Sequence, residues 1–310
     1  MSRKMTPAAS DSSYHVPVLL QEAVAGLNIR PDGVYVDCTL GGGGHGRAIL
    51  ERLGSKGRLI AFDQDADAVR NLPTDARVHF WPQNFRHLNR FLRLLDINQV
   101  DGVLADLGVS SHQFDEADRG FSIRFEGPLD MRMDQRQALT AAEVIAQYKE
   151  AELHRLFEQY GEVTNARTLA RCLVAKRQHV SIDTTQALKD VIREIVKGNP
   201  SKYFAQVFQA LRMEVNEEMP ALQELLEQLP QVLRPGGRAA IITFHSIEDR
   251  LVKQFFRRGS FQDPDPNPFS RTASVSPFEV ITRKPIEPSE EEKRINPRSR
   301  SAKLRIAERR

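Results

Sequence analysis

The sequence predicts an α/β fold, a mostly parallel sheet flanked by helices, with an all-helical segment inserted into it. Three observations carry that expectation. Over the first 106 residues, short apolar runs alternate with stretches of helical periodicity, the pattern of βαβ units. From residue 140 to residue 211, helical patterns follow one another with no strand between them. Strand patterns return after residue 238.

Leu19, Leu20, Ala23, Val24 and Leu27 recur at helical spacing and open the fold with a helix. Residues 34–38 (Val-Tyr-Val-Asp-Cys) read as a buried strand running into four glycines, 41–44. A helix carrying Ile49, Leu50 and Leu53 follows, stopped by Gly54. Further strands are expected at 58–63, 78–81 and 100–106, with a helix through Ala68, Val69 and Leu72. Residues 107–137 read as a long loop rich in Gly, Asp, Ser and Arg. Thr140 and Glu143 form a capping box, and helices follow on Leu153, Leu156, Phe157 and Tyr160, then Leu169 and Leu173, then Leu188 and Ile192, then Val207, Phe208 and Leu211. A helix through Leu222, Leu225, Leu226 and Leu229 leads to a Pro-Gly-Gly turn at 234–237 and a strand at 239–244. Ser246 and Asp249 are expected to cap the next helix, 261–276 to be a loop, and strands at 278–282 and 303–306 to end the sheet. The division that follows is a disordered N-terminus, 1–14; a ligand-binding domain, 15–114 with 215–310; and a helical insert, 115–214.

With 40% hydrophobic and 27% charged residues, the composition is that of a globular protein, and the apolar runs are too short to span a bilayer. The polar start lacks the apolar run of a secretory signal, so a cytoplasmic location is expected. Cys38 and Cys172 fit no metal-ligand spacing and read as reduced structural thiols. Net charge is +3, unevenly spread: residues 231–310 hold 17 Lys/Arg against 10 Asp/Glu, leaving the first 230 residues at −4. A basic C-terminal third suits a polyanion, or else is a solvated tail.

Gly41, Gly43 and Gly46 match G-x-G-x-x-G between a strand and a helix, and Asp63 ends the next strand 20 residues after Gly43. Glycines let a ligand approach the backbone, and a strand-end acid accepts hydrogen bonds from a ribose diol, so a nucleoside cofactor is expected. Asp37, ahead of the glycines, would repel a pyrophosphate and suits the cationic amino-acid end of S-adenosylmethionine. A helix before the first strand and the late Pro-Gly-Gly turn are further features of class I methyltransferases. The fold expected is therefore the Rossmann-like class I methyltransferase fold with an inserted all-helical subdomain.

Longer blocks point the same way. His15-Val-Pro-Val-Leu-Leu-Gln-Glu-Ala-Val24, Asp37-Cys-Thr-Leu-Gly-Gly-Gly-Gly-His45, Asp106-Leu-Gly-Val-Ser-Ser111, Arg119-Gly-Phe-Ser122, Gly127-Pro-Leu-Asp-Met-Arg-Met-Asp134, Phe244-His-Ser-Ile-Glu-Asp249 and the stretch from Asn296 to Arg305 resemble the RsmH/MraW family of bacterial 16S ribosomal RNA (cytosine-N4)-methyltransferases. The resemblance implies methylation of a cytidine in the decoding region, with 16S ribosomal RNA in a small-subunit particle as partner and a homodimer as one assembly. It places cofactor contacts on Gly43, Gly44, His45, Asp63, Phe85, Asp106 and Gln113, the last preceded by His112 where the family usually has Pro. Asp106, ending the fourth strand, is the expected catalytic residue: an acceptor for the target N–H would localise the amine lone pair and stabilise the charge that develops on nitrogen.

Phe114, Phe121 and Phe125 lie among Arg119, Arg124, Arg132 and Arg136, a mixture suited to stacking on an extruded base and holding phosphates. Arg298, Arg300, Lys303 and Arg305 are further candidates for phosphate contact. His45, His112 and His245 lie on separate segments without ligand spacing, so no metal site is expected, and Glu248 and Asp249 read as first-turn acids of a helix. The rival readings are methylation of another RNA site, an NAD-linked oxidoreductase, which Asp37 disfavours, and a non-catalytic RNA-binding assembly factor, which the intact glycine turn and Asp63 disfavour.

Overall fold

The computed structural model describes residues 17–262 and 276–310; the segment expected to be disordered, 1–14, and most of the 261–276 loop lie outside the described residues. The elements run α1 (Leu20–Gly26), β1 (Val34–Asp37), α2 (Gly44–Leu50), β2 (Arg58–Phe62), β3 (Val78–Trp81), α3 (Leu88–Leu94), β4 (Val100–Asp106), α4 (Ser111–Asp115), α5 (Ala141–Gln147), α6 (Glu150–Gln159), α7 (Ala166–Lys176), α8 (Thr185–Ile192), α9 (Pro200–Val215), α10 (Glu218–Val232), β5 (Leu233–Thr243), α11 (Ser246–Arg258), β6 (Phe278–Val280), α12 (Glu290–Ile295) and β7 (Lys303–Arg309). No helix among the described residues is long and apolar enough to cross a membrane.

Among the described residues, seven strands form one sheet in the order β3-β2-β1-β4-β5-β7-β6. The strands β1 to β5 pair in parallel, whereas β7 runs antiparallel between β5 and β6. This is the Rossmann-like class I methyltransferase topology. The chain winds one way from β1 and the other way from β4, so a crevice opens at the C-terminal ends of those two strands.

Strand periodicity fills both faces of the sheet. Val36, Ile60, Val103 and Ile241 face α3, α10 and α11, meeting Leu88, Leu225, Leu229 and Phe255. Their neighbours Tyr35, Leu59, Leu104 and Ile242 face the other way, onto Leu19, Val24 and Ile49 beside α1 and α2. Helices α5 to α9 lie between β4 and β5 in the chain and share a separate apolar core with Leu153, Phe157, Leu169, Leu188, Val207 and Leu211.

Four local expectations need correction. The helix expected through Ala68, Val69 and Leu72 is a 3-10 helix, Ala66–Asn71. Val69 is half exposed, so no apolar stripe holds a longer helix, and Leu72 is extended ahead of Pro73. Helix α3 has no counterpart in the sequence reading, because only Leu88 and Leu92 of its seven residues are buried. The Pro-Gly-Gly turn bulges within β5: the partner of Val100 is Leu233, and that of Gly102 is Arg238. The cap of α11 is His245, not Ser246, with Nδ1 accepting from the Glu248 N–H at 3.3 Å.

Asp249 and Arg305 also depart from their expected roles. Arg305 is 5% exposed, and its Nε and Nη2 donate to the two carboxylate oxygens of Asp249 at 2.6 and 3.0 Å. The pair ties β7 to α11 and leaves Arg305 no reach toward a phosphate. Removing one partner strands a buried charge, so Arg305→Ala should lose about 3–5 kcal/mol of stability in urea denaturation. Wild-type stability combined with weakened RNA binding would restore the phosphate role.

Candidate functional site

At the C-terminal ends of β1, β2 and β4 lies a cleft of about 1550 Å³. Its near wall is the glycine turn and the strand ends. Its far wall is built by Arg212, Asn216 and Glu218 at the junction of α9 and α10, with Phe244 and Glu248 beside them. Of the residues proposed for cofactor contact, Gly44, His45, Asp63, Phe85, Asp106 and Gln113 line it.

Gly43 stands behind the lining, where its role is conformational. Its φ is +74°, its N–H donates to Leu40 O at 2.6 Å, and a Cβ there would come within 2.7 Å of Asn71 O. The turn is pinned at both polar groups of Gly41: its N–H donates to Asp63 Oδ2 at 2.8 Å, and its carbonyl accepts from Asn71 Nδ2 at 2.8 Å. Asp63 Oδ1 accepts from the Asp65 N–H at 2.8 Å. Each carboxylate oxygen has a second lone pair, so Asp63 keeps acceptor capacity toward the cleft. Burial raises its pKa to about 6 against the opposing effect of those N–H groups.

Asp37 does not line the cleft. It is wholly buried beneath the turn, where Oδ1 accepts from the Thr39 N–H at 3.1 Å and Gly46 packs over the carboxylate. A direct contact with the amino-acid end of a cofactor, as expected from its position in the sequence, does not follow from this placement; its influence on the cleft is through its field. Burial raises its pKa to about 7, helped by the charge of Asp63.

Asp106 ends β4 in the cleft wall. Its N–H donates to Thr39 Oγ1 at 2.7 Å, while its buried Oδ1 has no hydrogen-bond partner among the described residues. Desolvation, then the charges of Asp37, Glu248 and Glu292, push its carboxyl well above the usual range. Beside it, His45 on α2 places Nε2 3.1 Å from Val18 O and Nδ1 3.8 Å from Asp106 Oδ2. Burial lowers the imidazole pKa to about 4.

Gln113 is committed to neighbours within the wall. Its Oε1 accepts from the Ser110 N–H in the capping box of α4, and its Nε2 donates to Asp65 Oδ2 at 2.6 Å. Phe85 heads a 3-10 turn capped by Asn84, with its ring between cleft and core.

The loop arginines are mostly occupied. Arg119 is buried and holds Asp65 at 2.8 Å and Asp67 at 3.1 Å; Arg132 pairs with Asp130, and Arg136 with Asp134. Phe121 is buried in the helical core, and Phe114 lies under the Arg298 guanidinium, which also pairs with Asp115 at 2.6 Å. Arg124 and Phe125 remain exposed.

Sequence reasoning missed Thr39, Asn71, Arg212, Glu218 and the cleft position of Glu248. Glu248 is 2% exposed, and its Oε2 accepts from the Phe244 N–H at 2.9 Å. Burial alone would raise its pKa, yet His245, that N–H and Arg212 bring it below the usual range. The spacing His245-x-x-Glu248 was the available signal, since it places an acceptor and an acid at the two reciprocal positions of a helix start. Glu218, His245 and Glu248 bring ligand-type atoms within 4.8 Å of one another. Their bonds oppose a cation: Arg212 holds both Glu218 oxygens at 2.7 and 2.9 Å, and His245 Nδ1 accepts a backbone N–H, leaving the hydrogen on Nε2.

The buried acids make stability depend on pH. Asp37, raised above its unfolded value, stabilises the fold fully below pH 3.8 and loses that contribution as pH rises through about 7. Asp37→Asn should therefore gain stability over the wild type as pH rises, reaching on the order of 1–4 kcal/mol at pH 8 relative to pH 4. Urea denaturation at both pH values measures this, and a gap that does not widen with pH would refute the buried-acid assignment.

The MraW methylase family matches residues 12–310. A Parabacteroides distasonis protein named ribosomal RNA small subunit methyltransferase H is 53% identical over 300 residues, covering 96% of this chain and 98% of its own. The protein of that name from Cytophaga hutchinsonii is also 53% identical over 300 residues, with coverages of 96% and 99%. Among solved structures, TrmN from Thermus thermophilus overlays with a TM-score of 0.42 at 13% identity, over 94% of this chain and 48% of that one. With a family match that spans nearly its whole length, and relatives sharing half its residues, this chain belongs to the MraW methylase family.

Proposed function

We propose that this protein transfers the methyl group of S-adenosylmethionine to N4 of a cytidine in the decoding region of 16S ribosomal RNA, presented within a small-subunit particle. The observation that carries the reading is the acid-rich crevice: Asp63 and Asp106 line it, Asp37 lies beneath it, and ionised Glu248 stands on its far wall. Such a field repels a pyrophosphate and favours a ligand with sulfonium and ammonium charges. The relatives named for small-subunit ribosomal RNA methylation supply the substrate class.

The residues fit the cofactor. Gly41, Gly42 and Gly44 present backbone, Asp63 keeps lone pairs for a ribose diol, and Phe85 offers a ring face for adenine. Bound there, S-adenosylmethionine supplies an electrophilic methyl group and leaves as a neutral thioether. Asp106 lines the cleft with a side chain 23% exposed and Oδ1 turned inward, so Oδ2 is placed to accept the N–H of a target amine. A cytosine amine has its lone pair delocalised into the ring, so an acceptor on its N–H both orients the nitrogen and stabilises its developing charge. Thr39 fixes the Asp106 backbone, and the residues of this chain contribute chiefly alignment.

RNA recognition is assigned to the helical segment, 115–214, and to exposed cations of the C-terminal segment such as Arg300. Phe125 is 43% exposed while its carbonyl accepts from Thr185 Oγ1 at 2.9 Å, a fixed backbone carrying a free ring.

Two measurements test these assignments. Labelled methyl transfer to small subunits, followed by nucleoside mass analysis, should yield N4-methylcytidine at one decoding-region position; label at another base or atom would overturn the assignment. The double variant Arg124→Gln, Phe125→Ala should weaken RNA binding by about 1–3 kcal/mol for the lost stack, flatten the salt dependence by about one counterion, and leave cofactor affinity unchanged. An unaltered RNA affinity would remove this loop from the interface.

A further inference from the structure

We propose that Asp106 and His45 act as a paired proton acceptor that exchanges the positive charge of the methyl donor for the proton lost by the target amine. The inference rests on the methyl-transfer reading above and adds a destination for the proton.

His45 has a fixed tautomer. Its Nε2 lies 3.1 Å from a carbonyl, Val18 O, which can only accept, so the ring hydrogen is on Nε2. Nδ1 therefore carries a lone pair, and it faces Asp106 Oδ2 at 3.8 Å. The imidazole side chain is 5% exposed, and its low proton affinity keeps it neutral in the resting protein. Oδ1 of the same carboxylate is buried without a partner among the described residues, while the side chain as a whole is 23% exposed, so Oδ2 is the oxygen that meets the cleft. The oxygen that meets the cleft thus has an unprotonated ring nitrogen beside it. The groups acting on it are Asp37 from β1, His45 from α2, Glu248 from α11 and Glu292 from α12. Three of the four are acids, and each favours a positive charge at Asp106.

The reaction must dispose of one proton. The new nitrogen–carbon bond forms from the amine lone pair as the methyl–sulfur bond breaks, with sulfur keeping that electron pair. Positive charge passes from sulfur to nitrogen, and leaves nitrogen with a proton. Asp106 Oδ2 accepts that proton, and His45 Nδ1, which faces the same oxygen, can share it. Before transfer the acids face a cationic donor; afterwards they face a neutral thioether and hold a proton. The net charge of the site is the same in both states, so no uncompensated charge develops in a desolvated cleft.

It follows that binding S-adenosylmethionine should expel a proton that binding S-adenosylhomocysteine does not. The two ligands share the amino-acid end, ribose and adenine, so protons linked to Asp37 or Asp63 through those parts cancel. Calorimetric titrations of both ligands in phosphate and in Tris, at several pH values, give the proton count. The expected result is release of about one proton more for S-adenosylmethionine. Its affinity should then fall by up to about tenfold per pH unit, relative to S-adenosylhomocysteine, as pH drops through the titration of Asp106. Asp106→Asn should abolish the difference, and His45→Asn should move its pH midpoint downward. Equal proton release for the two ligands at every pH, or a difference that survives in Asp106→Asn, overturns the inference while leaving the methyl-transfer reading intact. Failure of both ligands to bind overturns both.

Discussion

Asp37 and Asp106 end adjacent strands, Asp63 follows the end of the next, and all three carboxyls are drawn out of bulk water. Carboxylates so placed must be met by N–H groups, by protons or by a cation. The local architecture supplies the first. The N–H groups of Gly41, Thr39 and Asp65 converge on Asp63 and Asp37, which explains why the glycine turn adopts its conformation and why Asn71 braces it from behind. Asp37 Oδ2 and Asp106 Oδ1 are buried without a donor among the described residues.

Much of this was legible in the sequence. Strand and helix patterning, the glycine turn, Asp63 and Asp106 all follow from local spacing, because each depends on residues close in the chain. What could not be read depends on long-range pairing. Arg305 looks like a member of a basic tail, yet it is the buried partner of Asp249, 56 positions away. Arg119 looks like a phosphate ligand but joins Asp65 and the carbonyls of Arg132 and Met133 into one buried network with Gln113. Glu248 reads as a generic first-turn acid, and only the packing of α9 and α10 across the cleft shows what it faces. Charge counts measure how many cations there are, not how many are already matched within the fold.

The two walls of the cleft differ in origin. The near wall is a sheet edge made rigid by its own ladder, with Phe85 and Asp63 fixed by short turns. The far wall is carried where α9 hands over to α10, and Arg212 with Glu218 locks that junction at 2.7 and 2.9 Å. Asn216 adds a second tie, accepting from the Met133 N–H at 2.7 Å and donating to Met131 O at 2.8 Å. These bonds tie the loop after β4 to the junction of α9 and α10.

The place of β7 in the sheet has a consequence for synthesis. β5 is complete at Thr243, but the strand that covers its outer edge starts at Lys303. About 60 residues must be added while that edge remains unpaired, roughly 3–12 s at ordinary elongation rates. An open edge of apolar residues such as Ala240 and Ile242 is a template for wrong pairing during that interval. The nascent chain cannot close its sheet as it emerges, and on a crowded polysome the neighbouring copies expose the same edge at the same time.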